Sequence, residues 1–227
     1  MHEHDAITCE RRVKLLDAAG EVFADQGFHH ATIREICRRA GANVAAVNYH
    51  FRDKESLYQE VLTWCGRVAL EKYPVGGGVS PEAAPRDQLA GFIRNYLDRL
   101  LGTGRPAWHG KLISREMVEP TRALDALAEH FVRPQYQRLS GIVRGLLGFD
   151  APEPVVRRCC FSVVGQCLFM KLCRPMISRI VPHQEYGPGD IEAMAEHITR
   201  SSLALIAAAG EACRGVPAKA TGQEVAP

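Results

Sequence analysis

Apolar residues along this chain recur at helical spacing, and no stretch shows the strict alternation of a half-buried strand. Leu89, Phe92, Ile93, Tyr96, Leu97 and Leu100 stand at i, i+3, i+4, i+7, i+8 and i+11, which gathers them on one face of a helix. Comparable faces run through residues 9–26, 53–73, 121–147, 153–180 and 189–213. A 3.6-residue pattern does not fit a pleated strand, so the periodicity restricts the chain to an all-α fold. Gly27 ends the first helix in a left-handed cap. Pro134, late in a long helical pattern, predicts a kink. Three glycines and three prolines in "YPVGGGVSPEAAP" (73–85) make the clearest interruption and predict a flexible connection; "IVPHQEYGPG" (180–189) is a second loop. The chain thus divides into a small N-terminal unit (8–68), a larger helical body (80–213) and a disordered tail (214–227).

Composition excludes several classes. With 227 residues, 46% of them hydrophobic, the chain can bury a proper core, and its net charge of +2 says nothing about partners. No apolar run approaches the roughly 18 residues that span a bilayer. "LALIAAA" (203–209) is far too short, and the N-terminus lacks a basic-then-apolar signal pattern, so no membrane role is expected and the location expected is cytoplasmic. None of the eight cysteines forms a C-x-x-C pair. Cys159, Cys160, Cys167 and Cys173 share one apolar segment, where thiols usually act as small core residues. A thiol- or metal-sensing role for this Cys159–Cys173 cluster is the alternative. No cofactor motif or metal-ligand set stands out. There is no nucleophile elbow, no H-E-x-x-H, no phosphate-binding glycine loop and no paired-carboxylate motif, which leaves a helical enzyme as a remote alternative.

Residues 32–54 carry the most specific pattern. Thr32 followed by Glu35 is a capping box, so a helix starts there, with Ile33, Ile36, Cys37 and Ala40 on its buried face. Gly41 stops it in a positive-φ turn. Asn43 caps a second helix, which points Val44, Val47 and Phe51 inward. Asp53 caps a third, with Leu57 and Val61 inward. Two short helices about a glycine turn make a helix-turn-helix, whose second helix can enter the DNA major groove. Its outward face would be Ala45, Ala46, Asn48, Tyr49 and His50. Residues 1–67 as a whole hold nine Lys/Arg against ten Asp/Glu, but residues 29–54 hold five against two, a local excess of +3 around the motif.

The stretch "LLDAAGEVFADQGFHHATIREICRRAGANVAAVNYHFRDKESLYQEVL" (15–62) resembles the DNA-binding domain of the TetR family of bacterial repressors along its whole length. The "GFHHATIREI" entry and "YHFRDKESL" exit carry the resemblance most specifically. Together with "KLISREMVEPTRALDAL" (111–127), the chain is similar to the CecR-like (YbiH-type) subgroup. The resemblance implies a ligand-responsive repressor of all-helical subunits that binds a palindromic operator on double-stranded DNA as a homodimer and is released by a small-molecule effector. It also implies roles. Thr32, Tyr49, His50 and Lys54 would hold phosphates, while Asn43, Ala45, Ala46 and Asn48 would face base edges. The departure from many relatives is a second helix with no Arg or Lys.

In the family the larger half binds the small molecule and dimerises. The candidate pocket residues are Phe92, Tyr96, Trp108, Ile113, Met117, Phe131 and Tyr136, with His109, Arg115, Glu116 or His130 as polar anchors. The last two long helices carry wide apolar faces that could close a four-helix interface between subunits. On one the candidates are Val156, Cys160, Val164 and Cys167. On the other they are Ile191, Met194, Ile198 and Leu205.

Overall fold

The computed structural model describes residues 2–102 and 106–215. The part of the 214–227 tail beyond residue 215 lies outside them, and residues 214 and 215 still belong to the last helix. Among the described residues every regular element is helical. They are α1 (His2–His30), α2 (Ile33–Ala40), α3 (Val44–Phe51), α4 (Lys54–Lys72), α5 (Pro85–Leu101), α6 (Ala107–Val118), α7 (Ala123–Leu127), a π turn (Ala128–Val132), α8 (Arg133–Leu147), α9 (Glu153–Leu172), α10 (Arg174–Ile180) and α11 (Pro188–Gly215).

Local chemistry explains the boundaries. Gly27 interrupts α1 at φ 79, ψ 165, a positive-φ conformation but extended rather than left-handed helical. A last turn follows, closed by Ala31 N–H donating to Gly27 O at 3.1 Å. Thr32 Oγ1 accepts from Glu35 N at 3.2 Å and starts α2. Gly41, at φ 63, ψ 32, ends it in the left-handed region, where only glycine avoids a β-carbon penalty. Asn43 and Asp53 cap α3 and α4 by accepting from Ala46 N at 2.8 Å and Ser56 N at 2.7 Å.

Three expectations change. The pattern over 121–147 is one continuous apolar run, but the chain widens into the π turn just before Pro134, which has no N–H to give and whose ring would crowd the carbonyl four residues back. The pattern over 153–180 breaks at Cys173, with α9 and α10 meeting at 68°, because Pro175 cannot continue the hydrogen-bond ladder. The glycine-rich loop 73–85 is pinned rather than slack. Arg99 donates to Tyr73 O at 2.8 Å, Asn95 to Pro74 O at 2.7 Å, and Gln88 to Pro81 O and Ala83 O at 2.8 and 2.7 Å.

Two apolar cores form. One joins α1–α4 and takes in Trp108, Leu112 and Ala123 from α6 and α7. The other joins α5, α8, α9 and α11. Burial of these faces, at about 25 cal/mol per Å² of apolar surface, is what holds the helices against one another. Among the described residues no single helix is long and apolar enough to cross a membrane.

Candidate nucleic-acid interface and body cavity

The helix-turn-helix stands on Ile36, Cys37, Val47 and Phe51, all buried in the first core. With only eight residues, α3 can bury one narrow stripe. That stripe is Val47 and Phe51, with Ala46 packed partly against the same core. Val44 is left exposed, so two assignments exchange places: Val44 faces out and Ala46 turns in. The reason is geometric, since Val44 stands at the capped first turn, beyond the edge of the core that Val47 and Phe51 enter. The outward face is therefore Val44, Ala45, Asn48 and Tyr49, with Tyr49 81% exposed. His50 is half-buried, its ring 5.0 Å from Tyr49 and 5.9 Å from Phe51.

The polar groups around α3 are partly committed. Asn43 spends its side-chain oxygen on the cap of α3, which removes the acceptor half of a bidentate adenine contact. Lys54 donates to Ala31 O at 3.1 Å and His29 O at 3.4 Å and lies 4.7 Å from the Phe28 ring centroid. It therefore anchors the end of α1 as well as offering charge. Glu35 does not complete the capping box. Its carboxylate takes Arg38 through two bonds of 2.8 and 2.7 Å and Arg39 at 3.2 Å. The Arg38 guanidinium first, then Arg39, holds that carboxyl down to about 2. Arg39 also reaches Glu21 at 3.4 Å. Arg34 and Arg52 enter no ion pair among the described residues. Arg52 is the one non-glycine at positive φ among them, at φ 68, ψ −58, and Asp53 N–H closes back on Phe51 O at 2.8 Å. This is a γ-turn of the strained kind, and it redirects the chain from α3 into α4.

In the body, Phe92, Tyr96, Ile113, Met117, Phe131 and Tyr136 line one cavity of about 410 Å³ between α4, α5, α6, α8, α9 and the π turn. Trp108 and His109 do not line it. They turn to the first core, where a β-carbon on Gly20 would lie 2.1 Å from the Trp108 ring; only a glycine there lets the indole lie flat on α1. Trp64 packs on both, at 5.9 and 5.6 Å. Glu116, wholly buried, accepts from Tyr58 at 2.6 Å and from Thr121 N and Oγ1 at 2.8 and 3.0 Å. Arg115 donates to Ala24 O and Asp25 O. His130 lines a separate groove with Thr63, Gly66 and Phe131. Helix α6 thus shows one face to each side. Trp108, Leu112 and Glu116 recur every four residues toward α1 and α4, while Gly110, Ile113, Ser114 and Met117 face the cavity. The sequence reading missed Arg99, Leu127, Phe161, Lys171 and Leu172 in the lining. Arg99 was within reach, since it follows Phe92 and Tyr96 in helical register.

The interface candidates fall mostly inside the subunit. Val156, Cys160, Cys167, Ile191 and Ile198 are buried in the second core; Val164, Met194 and Leu205 pack partly against it. A helix between two layers spends its broadest apolar face on its own subunit. Burial pushes the Cys160 and Cys167 thiols up to about 12. Such thiols stay protonated, and among the described residues no group of three or more His, Cys, Asp or Glu gathers as a metal site. The thiol- or metal-sensing alternative is not supported.

Residues 15–61 match the family described as bacterial regulatory proteins of the tetR family, and residues 85–206 match the C-terminal domain of the HTH-type transcriptional dual regulator CecR. The chain belongs to the TetR family, in its CecR branch. It is a DNA-binding transcriptional regulator. CecR of Shigella flexneri is 28% identical over 177 residues, which covers 74% of this chain and 78% of that protein. A Pseudomonas aeruginosa PAO1 protein described as a transcriptional regulator has the same fold, with a TM-score of 0.67 and 20% identity over 90% of this chain and 94% of that one. AibR, solved in complex with isovaleryl coenzyme A and operator DNA, gives a TM-score of 0.60 at 15% identity over 84% of this chain and 97% of that one.

Proposed function

We propose that this regulator binds a palindromic operator as a homodimer, represses transcription in the cytoplasm, and is released when a small-molecule effector fills the cavity of the body. The division of labour would follow residues 8–68 for DNA and 80–213 for effector and dimer. The observation that carries the reading is α6, one helix whose opposite faces belong to the reading head's core and to the cavity. A ligand that binds better when α6 shifts would move the head through Trp108, Leu112 and the Tyr58–Glu116 bond, and two heads out of register with successive major grooves lose the operator. AibR, which has this fold, is known with both kinds of partner in one complex.

At the DNA, Val44 and Ala45 offer methyls to thymine, Asn48 offers an amide to a base edge, and Tyr49, Thr32, Arg34 and Arg52 reach phosphates. For dimerisation, the surface left on α9 and α11 after the core is filled includes Phe169, Ala204, Ala207 and Ala208, all exposed. The test is selection of bound DNA from a random pool by the full chain. The expected result is an inverted repeat, whose preferred bases loosen at one or two positions in Asn48→Ala and stay the same in Tyr49→Ala while affinity drops about 5- to 30-fold, or 1–2 kcal/mol. Recovery of no enriched sequence, or of a single unrepeated half-site, overturns it.

A further inference from the structure

Most polar side chains that line the cavity are spent on its own walls. Arg99 is buried and donates to Tyr73 O at 2.8 Å and to Gln135 Oε1 at 2.6 Å. Gln135 in turn donates to Phe131 O at 2.8 Å, so one chain of bonds ties α5 to the glycine-rich loop, to α8 and to the π turn. Tyr136 donates to Glu153 at 2.9 Å. Lys171 packs its ammonium closely on Gly110, where a β-carbon would stand 3.1 Å away, and it too has a partner. Among the described lining residues none is acidic.

Two hydroxyls remain. Tyr96 of α5 and Ser114 of α6 line the cavity, and neither enters a hydrogen bond among the described residues. The Tyr96 ring is held firmly. It stacks on Phe92 at 5.8 Å with 19° between the planes, and the Arg99 guanidinium lies 5.2 Å from its centroid. Only its hydroxyl is unspent. Burial pushes that hydroxyl up to about 12, so it stays an uncharged donor. Around it the lining is strongly aromatic, with rings entering from several sides. Phe92 and Tyr96 come from α5, Phe131 from the π turn, Tyr136 from α8 and Phe161 from α9.

Charge then decides the class of ligand. A carboxylate would leave water for a cavity whose cations are already engaged, and would have to break the Arg99 bonds to gain a partner. An ammonium would meet no acid. Aromatic faces attract cations, but Arg99 already lies over Tyr96 and both charged groups of the lining are positive. An uncharged molecule meets neither penalty, and rings gain from the aromatic walls beyond the area they bury. We infer that the cavity takes an uncharged aromatic molecule, its rings among Phe92, Phe131, Tyr136 and Phe161, with one oxygen accepting a hydrogen bond from the Tyr96 hydroxyl. The inference rests on the reading that this cavity is the effector site, and it names what that effector is chemically.

The experiment measures binding of 2-acetylnaphthalene, 2-naphthoate, 2-naphthylmethylamine and 2-decanone to the full chain by titration calorimetry. The aromatic ketone is expected to bind about tenfold more tightly than the anion or the cation, and about threefold more tightly than the aliphatic ketone. Tyr96→Phe keeps the stacked ring and removes a hydroxyl with no partner in the protein, so the fold should hold. It should weaken the aromatic ketone about 2- to 12-fold and leave 2-ethylnaphthalene, which has no oxygen, unchanged. Ser114→Ala should alter neither. The proposal is overturned if the aromatic ketone does not bind, if the anion, the cation or the aliphatic ketone binds as tightly, or if Tyr96→Phe leaves its affinity intact. Operator affinity is read in the same samples. The aromatic ketone bound with this Tyr96 dependence but without effect on operator affinity supports the ligand class and overturns the effector reading instead.

Discussion

Arg52 holds a backbone conformation that costs free energy, and its removal separates stability from DNA binding. At φ 68, ψ −58 it occupies a region that L residues other than glycine rarely visit, at a cost of about 1–3 kcal/mol. Arg52→Gly removes that strain but gives the unfolded chain about 0.5–1 kcal/mol more entropy to lose. The net expectation is a gain of roughly 0.5–2 kcal/mol, which for a chain of this size raises Tm by about 1–8 °C. The same substitution deletes an exposed cation next to the reading helix, so operator affinity should fall by about 5- to 30-fold. Arg52→Ala is the control, because it deletes the charge and keeps the β-carbon. Thermal melts and operator titrations on all three chains give the answer. Glycine should melt above alanine while both lose operator affinity equally. If the glycine variant melts no higher than the alanine variant, the γ-turn carries no strain and the reasoning fails. If operator affinity is unchanged in both, Arg52 touches no phosphate.

Tyr58→Phe removes a buried bond to Glu116 and leaves that carboxylate with only the Thr121 donors. A loss of about 1.5–3 kcal/mol is expected for a hydrogen bond to a charged group, and a melt that moves by less than a degree would deny the bond its role. The salt dependence of operator binding should be shallow. Arg38 and Arg39 are already paired to Glu35, so two or three phosphate contacts per head, four to six per dimer, predict a slope of log K against log salt of about −4 to −5, and a slope near −10 would show that the paired arginines turn to the DNA instead. Thiol labelling at pH 8 should spare Cys159, Cys160 and Cys167, whose thiols burial pushes up and so keeps protonated; the half-buried Cys173 and Cys213 should react before these three, and prompt labelling of Cys160 would show that α9 opens.

The reading head was legible because its constraints are local. A cap, a positive-φ glycine and a four-residue apolar step each act within a turn or two of chain, so Thr32, Gly41, Asn43 and Asp53 do in space what their neighbours in sequence require. The error on α3 was one of phase. Over eight residues the periodicity admits two stripes, and only the edge of the core decides that Ala46 goes in and Val44 out. The body was legible as helices but not as surfaces. An apolar face on α9 fits a partner subunit, a neighbouring helix or a cavity equally well. The structure gives Val156 and Cys167 to the core and Phe161 and Lys171 to the cavity. The kind of residue is in the sequence; what lies opposite it is set by contacts between residues far apart in the chain.

The same distinction bears on how head and body communicate. A glycine-rich stretch such as 73–85 suggests two bodies on a tether, and a tether transmits nothing. Here the glycines serve close packing instead. A β-carbon on Gly77 would lie 2.3 Å from Gly91 O, so the loop lies directly on α5, and Gln88, Asn95 and Arg99 hold its carbonyls there. The head is joined to the body by a pinned loop, by α4 against α7 and the π turn, where Gly66 lies under the Phe131 ring, and by α6, where Trp108 lies on Gly20 and Lys111 reaches Asp25 at 2.8 Å. Separated attachments fix an angle as one cannot. If a ligand on its Ile113–Met117 face displaced α6, the displacement would be carried to α1 and α4, on which α3 stands.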